Sequence, residues 1–336
     1  MNPPHSIVAL IGATAVHRHD GRWVFKGRDP VTGRCQSLAA GSQDEWVTLG
    51  LPPVDETDVQ HTVKSAADDD EERLLAVCSN TLLVSNLRTC LWAKGKWRSV
   101  WMRPPEGTRG GQVQAAAACV AMDKVHVALV VGSSNTLVTT SFPFTPTFPP
   151  PLTLPPTSWT AWHDLGQCTA LTASPSACFA AILTTPYSSS LCTWGMNNAG
   201  QLGLGTVTVG ENEHSAWHAT PLVPDALDGL DAKCVHLTSG AACVIVDACV
   251  MVWGSRTAGA GEVDVTVPSM LVDEPVWSER EVGEEEWVPT RVWCGWGGVV
   301  VRMEREGDAD EAGVLVGYGE AKAVERLVDV IKHNTK

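Results

Sequence analysis

Short apolar runs, cut by Gly, Ser, Asn or Asp, recur along almost the whole chain. Ser6–Leu10, Leu74–Cys78, Val125–Val131, Val244–Val252, Val299–Arg302 and Val314–Val316 are the clearest. Few stretches carry apolar residues at helical spacing, so these runs read as β-strands bounded by turns. Regularly spaced short strands imply a sandwich, a barrel or a propeller. A weak unit also repeats: an apolar strand, small residues, a second apolar strand, then an aromatic–Gly turn. Its small-residue corners fall at Gly12, Ser79, Asp123, Ser174, Gly240 and Gly295. Their spacing of roughly 45 to 65 residues suits a four-stranded propeller blade with variable loops. Six units are visible, and the gap between Gly12 and Ser79 has room for a seventh. The expected fold class is all-β, a β-propeller, in a single domain over residues 1–336.

Three segments depart from the unit. Residues 142–157 are rich in proline, which fixes φ and removes backbone donors, so an extended inter-blade connector is expected there. Pro143-x-x-Pro146 lies within it, but no Arg or Lys flanks it as a ligand for a proline-binding domain would want. Residues 262–287 carry Glu279, Glu281, Glu284, Glu285 and Glu286 and read as a solvated acidic insertion. Over residues 320–332, Ala321, Val324, Leu327, Val328 and Ile331 fall at helical spacing. That predicts an amphipathic helix docked on its own domain, with a partner-binding helix as the alternative.

Composition narrows the function. With 44% apolar and 18% charged residues the chain is built to form a core. No uncharged apolar run approaches the roughly 20 residues of a spanning helix, so no membrane partner is expected. Thirty-eight acidic residues against 24 basic ones give a formal charge of −14, and Lys and Arg do not cluster. Such a chain repels phosphate backbones, so direct nucleic-acid binding is not expected, whereas a basic protein partner fits. The 11 cysteines include no Cys-x-x-Cys pair, and most sit in apolar runs as small buried hydrophobes. Their odd number, and the lack of any Asn-x-Ser/Thr acceptor, favour a reducing compartment, the cytosol and/or the nucleus. Ser6–Val16 has the apolar character of a signal segment, but no Lys or Arg precedes it, and a first β-strand is preferred.

The sharpest motif is Trp194-Gly195-Met196-Asn197-Asn198-Ala199-Gly200-Gln201-Leu202-Gly203-Leu204-Gly205. A strand ends in a large aromatic anchor, glycine permits a tight turn, and asparagines cap it through their side chains. Trp253-Gly254 repeats the strand and its Trp-Gly end, and Gly259 follows at the spacing of Gly200. Gly317-Tyr318-Gly319 keeps an aromatic–Gly turn. This reading makes Trp194, Gly195, Asn197, Gly200, Gln201, Leu202, Gly203, Gly205, Trp253 and Gly254 scaffold residues.

The same residues resemble the blade signature W-G-x-N-x-x-G-Q-L-G-x-G of the regulator-of-chromosome-condensation repeat family. Asp123-Lys124-Val125-His126-Val127-Ala128-Leu129 resembles that family's G-x-x-H-x-A-L strand start, with Asp in place of Gly. The resemblance implies a propeller, seven-bladed as in the family, acting as a non-enzymatic interaction scaffold or regulatory subunit. The alternative it implies is guanine-nucleotide exchange on a Ran-like small GTPase. Exchange needs only a surface that displaces nucleotide and metal, so a search for catalytic motifs does not bear on it.

No phosphate-binding loop, nucleophile elbow or His-Glu-x-x-His motif occurs. No catalytic residue, metal ligand or cofactor is therefore assigned. The pairs His17/His19 and His214/His218 are by themselves weak evidence for a metal site, and His126 reads as a satisfied core histidine. For partner binding, Trp277 and Trp287 flank the charged segment with Glu284, Glu285 and Glu286, which suits an interface with a basic protein. The alternative is that the two tryptophans pin the inserted loop to its blade.

Overall fold

A computed structural model describes residues 113–143, 159–174, 177–198, 200–207, 217–238, 241–254, 266–271, 274–280, 287–295, 297–305 and 313–334. Elsewhere it describes only the backbone of the strands named below, and the side chains of residues 330, 333 and 334 are not described. The chain divides into two compact units, Met1–His163 and Asp164–Lys336. Six sheets are found among the described residues.

In the first unit, β1 (Ala9–Ile11), β2 (Thr14–His19), β3 (Arg22–Gly27) and β4 (Val47–Thr48) form a sequential four-stranded sheet. The second sheet holds β5 (Leu74–Cys78), β6 (Thr81–Val84), β7 (Arg88–Ala93) and β8 (Lys96–Met102). The proline-rich segment adds a strand here: β12 (Leu152–Leu154) pairs parallel to β8, Leu152 opposite Val100. The third sheet comprises β9 (Val113–Ala121), β10 (Lys124–Val131), β11 (Thr136–Pro143) and β13 (Thr160–Ala161). Along β10, Val125, Val127, Leu129 and Val131 point one way, into a cluster with Val138, Phe142 and Trp159. His126, Ala128 and Val130 point the other way and are also buried. A strand covered on both faces reads as a continuous apolar run, which is why alternation is absent from this stretch.

The second unit repeats the design. β14 (Gln167–Ala173), β15 (Cys178–Thr184), β16 (Ser189–Met196) and β17 (Trp217–Leu222) form one sheet. The next holds β18 (Ala232–Leu237), β19 (Ala242–Val246), β20 (Cys249–Trp253) and β21 (Ser269–Met270). The last has the order β22 (Trp277–Ser278), β25 (Val314–Gly319), β24 (Gly298–Arg305), β23 (Trp287–Gly295), so its edge strand β22 comes from chain preceding the other three. Residues 262–287 thus supply the outer strands of two sheets. Ala242, Val244 and Val246 of β19 pack toward β15 and β16 in one cluster. Cys243 and Ile245 pack toward Val292, Cys294, Val299 and Val301 in another. The sheets therefore stack face to face through alternate residues of shared strands, as propeller blades do.

Of the six small-residue corners, Asp123 lies at the hairpin between β9 and β10, Ser174 between β14 and β15, and Gly295 ends β23 before β24. Gly12, Ser79 and Gly240 lie outside the described residues. Helix α1 (Ala321–Asn334) follows, burying Ala323, Val324, Leu327, Val328 and Ile331. It lies against β24 and β25 so closely that a Cβ on Gly317 would come within 2.1 Å of Val324 Cγ1. No helix among the described residues is long and apolar enough to cross a membrane.

Candidate functional site

The Trp194 motif begins inside β16. Trp194 stacks on its cross-strand partner Phe179, with centroids 5.2 Å apart and planes 5° from parallel. Gly195 has φ +110°, and a Cβ there would come within 2.2 Å of the Ala177 carbonyl oxygen. A side chain is excluded both by conformation and by space. Beyond it the loop is held by its own polar groups. Asn197 is buried; its Nδ2 donates to the Thr206 carbonyl at 2.9 Å and its Oδ1 accepts from Leu202 N at 3.3 Å. Gln201 Nε2 donates to Asn198 Oδ1 at 2.7 Å, and Thr193 Oγ1 donates to the Leu202 carbonyl at 2.8 Å. Leu202 is fully buried in the cluster between the two sheets.

The loop also reaches the next sheet. Trp253 Nε1 donates to the Gln201 carbonyl at 2.8 Å, and Gly205 N to the Thr266 carbonyl at 3.0 Å. Gly200 abuts Thr266, and Gly203 abuts Pro268 and the Trp253 indole. Gly254 repeats the φ of Gly195, +110°. These residues are engaged with one another; their polar atoms hold the connection between two sheets.

The structure separates the two tryptophans that flank the acidic segment. Trp277 on β22 and Trp287 on β23 occupy opposite edges of the last sheet. Three strand spacings, about 14 Å, lie between those edges. Each ring is half-buried and carries cations of its own chain: Lys332 Nζ lies 5.4 Å from the Trp277 centroid, and Arg280 and Arg305 lie 5.2 and 5.8 Å from that of Trp287. Lys332 also pairs with Glu279 at 2.7 Å, and that hydrogen bond holds the Glu279 carboxyl below its ordinary value. Glu284, Glu285 and Glu286 lie outside the described residues.

Tyr187, which sequence reasoning missed, stands apart from these. It is 95% exposed, at the tip of the β15–β16 hairpin. The tip is nonetheless well held. Thr185 N donates to the Ser188 carbonyl at 2.8 Å, while Thr185 Oγ1 accepts from Tyr187 N at 3.3 Å and Ser188 N at 3.2 Å. At its base, Ser189 N donates to Asp231 Oδ1 at 2.9 Å, tying the hairpin to the adjacent sheet. The signal is present in the sequence: a Tyr in a Pro-Tyr-Ser turn between two apolar runs, in a chain with only two tyrosines.

One group of metal-ligating side chains occurs among the described residues: His236, Cys243 and Cys294, whose ligand atoms lie within 4.8 Å of one another. Burial pushes both thiols up. For Cys294, hydrogen bonds from Cys243 and His236 outweigh burial and bring it below the ordinary thiol range, while Cys243 stays well above it. Cys178, Cys168 and Cys192 are pushed up by burial, the last to about 11. None of the eight described cysteines forms a disulfide with another described residue. His126 is buried in β10, and its Nε2 donates to the Ala121 carbonyl at 3.3 Å. Burial lowers its pKa to about 4.

Stacked four-stranded antiparallel sheets, with an interlocking Trp-Gly loop between two of them and one terminal helix, define an all-β protein built of propeller-blade sheets. Residues 188–246 match the family described as the Regulator of chromosome condensation (RCC1) repeat, so the chain carries a repeat of that family. The matched stretch runs from β16 to β19 and therefore straddles two sheets. No curated protein matches the chain by sequence. Among solved structures it is similar to Prp20p from Saccharomyces cerevisiae, described with its binding properties to Gsp1p and histones. That similarity is at 10% identity, with a TM-score of 0.48, over 97% of this chain and 85% of that one. It is also similar to BBS1N in complex with ARL6DN, at 8% identity and a TM-score of 0.37 over 92% and 76% of the two chains. YCF48 bound to a D1 peptide gives 10% identity and a TM-score of 0.27 over 95% and 97%.

Proposed function

We propose that the protein is a non-catalytic interaction scaffold that presents the β15–β16 hairpin to a protein partner. The observation that carries this reading is Tyr187: a fully displayed aromatic on a hairpin already ordered by its own hydrogen bonds. Binding hot spots favour such residues, and an ordered tip loses little entropy on association. The motif residues are spent on internal contacts, and Trp277 and Trp287 are already covered by cations of the chain. A net charge of −14 adds steering toward a basic partner. The free thiols are in keeping with a reducing compartment, the cytosol and/or the nucleus.

The test is affinity capture of the full chain from its native cell, followed by mass spectrometry, with Tyr187→Ala as comparison. The account expects partners lost from the variant while its melting temperature is unchanged. Identical partners at identical yield would overturn it.

A second reading, guanine-nucleotide exchange on a Ran-like small GTPase, is favoured by the repeat match at residues 188–246. It predicts that the full chain speeds release of a fluorescent GDP from such a GTPase. An unchanged release rate removes this reading and leaves the scaffold.

A further inference from the structure

We infer that His236, Cys243 and Cys294 form a binding site for one thiophilic divalent cation of the zinc class, at the seam between the last two sheets. The three residues come from three strands. His236 on β18 and Cys243 on β19 are direct cross-strand partners, and Cys294 comes from β23 of the neighbouring sheet.

Their geometry suits a single ion. Cys294 Sγ and His236 Nδ1 are 3.5 Å apart. Zinc bonds of about 2.3 Å to sulfur and 2.0–2.1 Å to nitrogen, at a tetrahedral angle, place those two atoms about 3.6 Å apart. The imidazole Nδ1 accepts from the Cys294 backbone N–H at 3.2 Å, so it is the unprotonated nitrogen and faces Cys294; a metal bound at Nδ1 would take the place of that hydrogen bond. Both thiols are aimed at weak acceptors: each reaches the His236 carbonyl, Cys243 Sγ at 3.7 Å and Cys294 Sγ at 3.6 Å. Cys294 Sγ also bonds Cys243 and His236 Nδ1, contacts that a shared metal ion would replace.

Charge balance favours the same ion. Binding replaces two S–H bonds by two metal–sulfur bonds and releases two protons, while the imidazole stays neutral. A divalent cation with two thiolates is neutral overall, which a buried seam tolerates. Cys243 and Cys294 are buried and His236 is half-buried. Cys234 stands two residues before His236 on β18, on the same face, and packs at the edge of this cluster.

The experiment is cobalt(II) titration of the full folded protein after chelation, followed by absorption. One equivalent of Co(II) with a sulfur-to-cobalt charge-transfer band and tetrahedral d–d bands is expected. Displacement by Zn(II) should then raise the melting temperature by several degrees. Cys294→Ser and Cys243→Ser should lose the charge-transfer intensity and the thermal shift, and Cys178→Ser, a buried thiol in a different cluster, should keep both. Should the cysteine variants fail to fold, His236→Gln is expected to fold and to lose the thermal shift. A folded wild-type protein that shows no charge-transfer band overturns the proposal. So do His236→Gln, Cys243→Ser or Cys294→Ser variants that bind as the wild type does.

Discussion

At Gly195 two constraints coincide: φ is +110° and the Ala177 carbonyl oxygen would lie 2.2 Å from any Cβ. Gly195→Val should cost about 1–3 kcal/mol from backbone strain alone, read by denaturant unfolding. An unchanged midpoint would mean that the turn is not as tight as its geometry requires. His126 sets a second test. Folded, it stays neutral down to about pH 4, whereas the unfolded chain takes up the proton near 6.5. The unfolded state therefore binds more protons in that window. The resulting stability, on the order of 3 kcal/mol, is complete above pH 6.5 and is lost as pH falls toward 4. His126→Gln, which keeps a donor for the Ala121 carbonyl, should flatten the loss of stability between pH 6.5 and 4. An equal slope in both proteins would contradict this.

Among the elements, the C-terminal helix depends most on a single position. Val324 sits over Gly317 with no room for a methyl group between them, and its branched side chain is anchored in the helix. Gly317→Ala should lift α1 from β24 and β25, at a cost of about 1–3 kcal/mol through overpacking. Amide hydrogen exchange in residues 321–334 should speed up, and Val324→Ala in the same chain should restore part of the protection. Unaltered exchange in Gly317→Ala would show that the contact is not what seats the helix. Helical spacing alone makes α1 legible in the sequence, because Val324, Leu327, Val328 and Ile331 form one stripe. The strand that the proline-rich segment adds to β8 is not legible, since the three residues Leu152–Leu154 are too few to stand out between flanking prolines. The opposite placement of Trp277 and Trp287 is also hidden. It follows from a strand order, β22-β25-β24-β23, in which β22 pairs with β25, the strand of its sheet farthest from it in sequence.

On the scale of the whole molecule, the repeating corners are readable because each blade must turn its first hairpin with small or polar residues, whatever its other residues do. Asp123 turns its corner with φ +54°. Long-range chemistry is not readable. His236 and Cys294 are 58 residues apart and meet only because two sheets stack. Cys243 and Cys294 obey no ligand spacing and look in the sequence like ordinary core thiols. The repeat match from β16 to β19 straddles two sheets because its most constrained part, the loop with Gln201 and Leu202, joins one blade to the next.

The central claim is that scaffold and recognition are carried by different residues, the Trp-Gly loop and the Tyr187 hairpin. The measurement that tests it most directly is a melting temperature and a capture yield, both taken on Gly195→Val and on Tyr187→Ala in the full chain. The account predicts that Gly195→Val lowers the melting temperature, and that Tyr187→Ala lowers capture with the melting temperature unchanged. Loss of capture in Gly195→Val at an unchanged melting temperature, with full capture by Tyr187→Ala, would contradict it and make the Trp-Gly loop the recognition site.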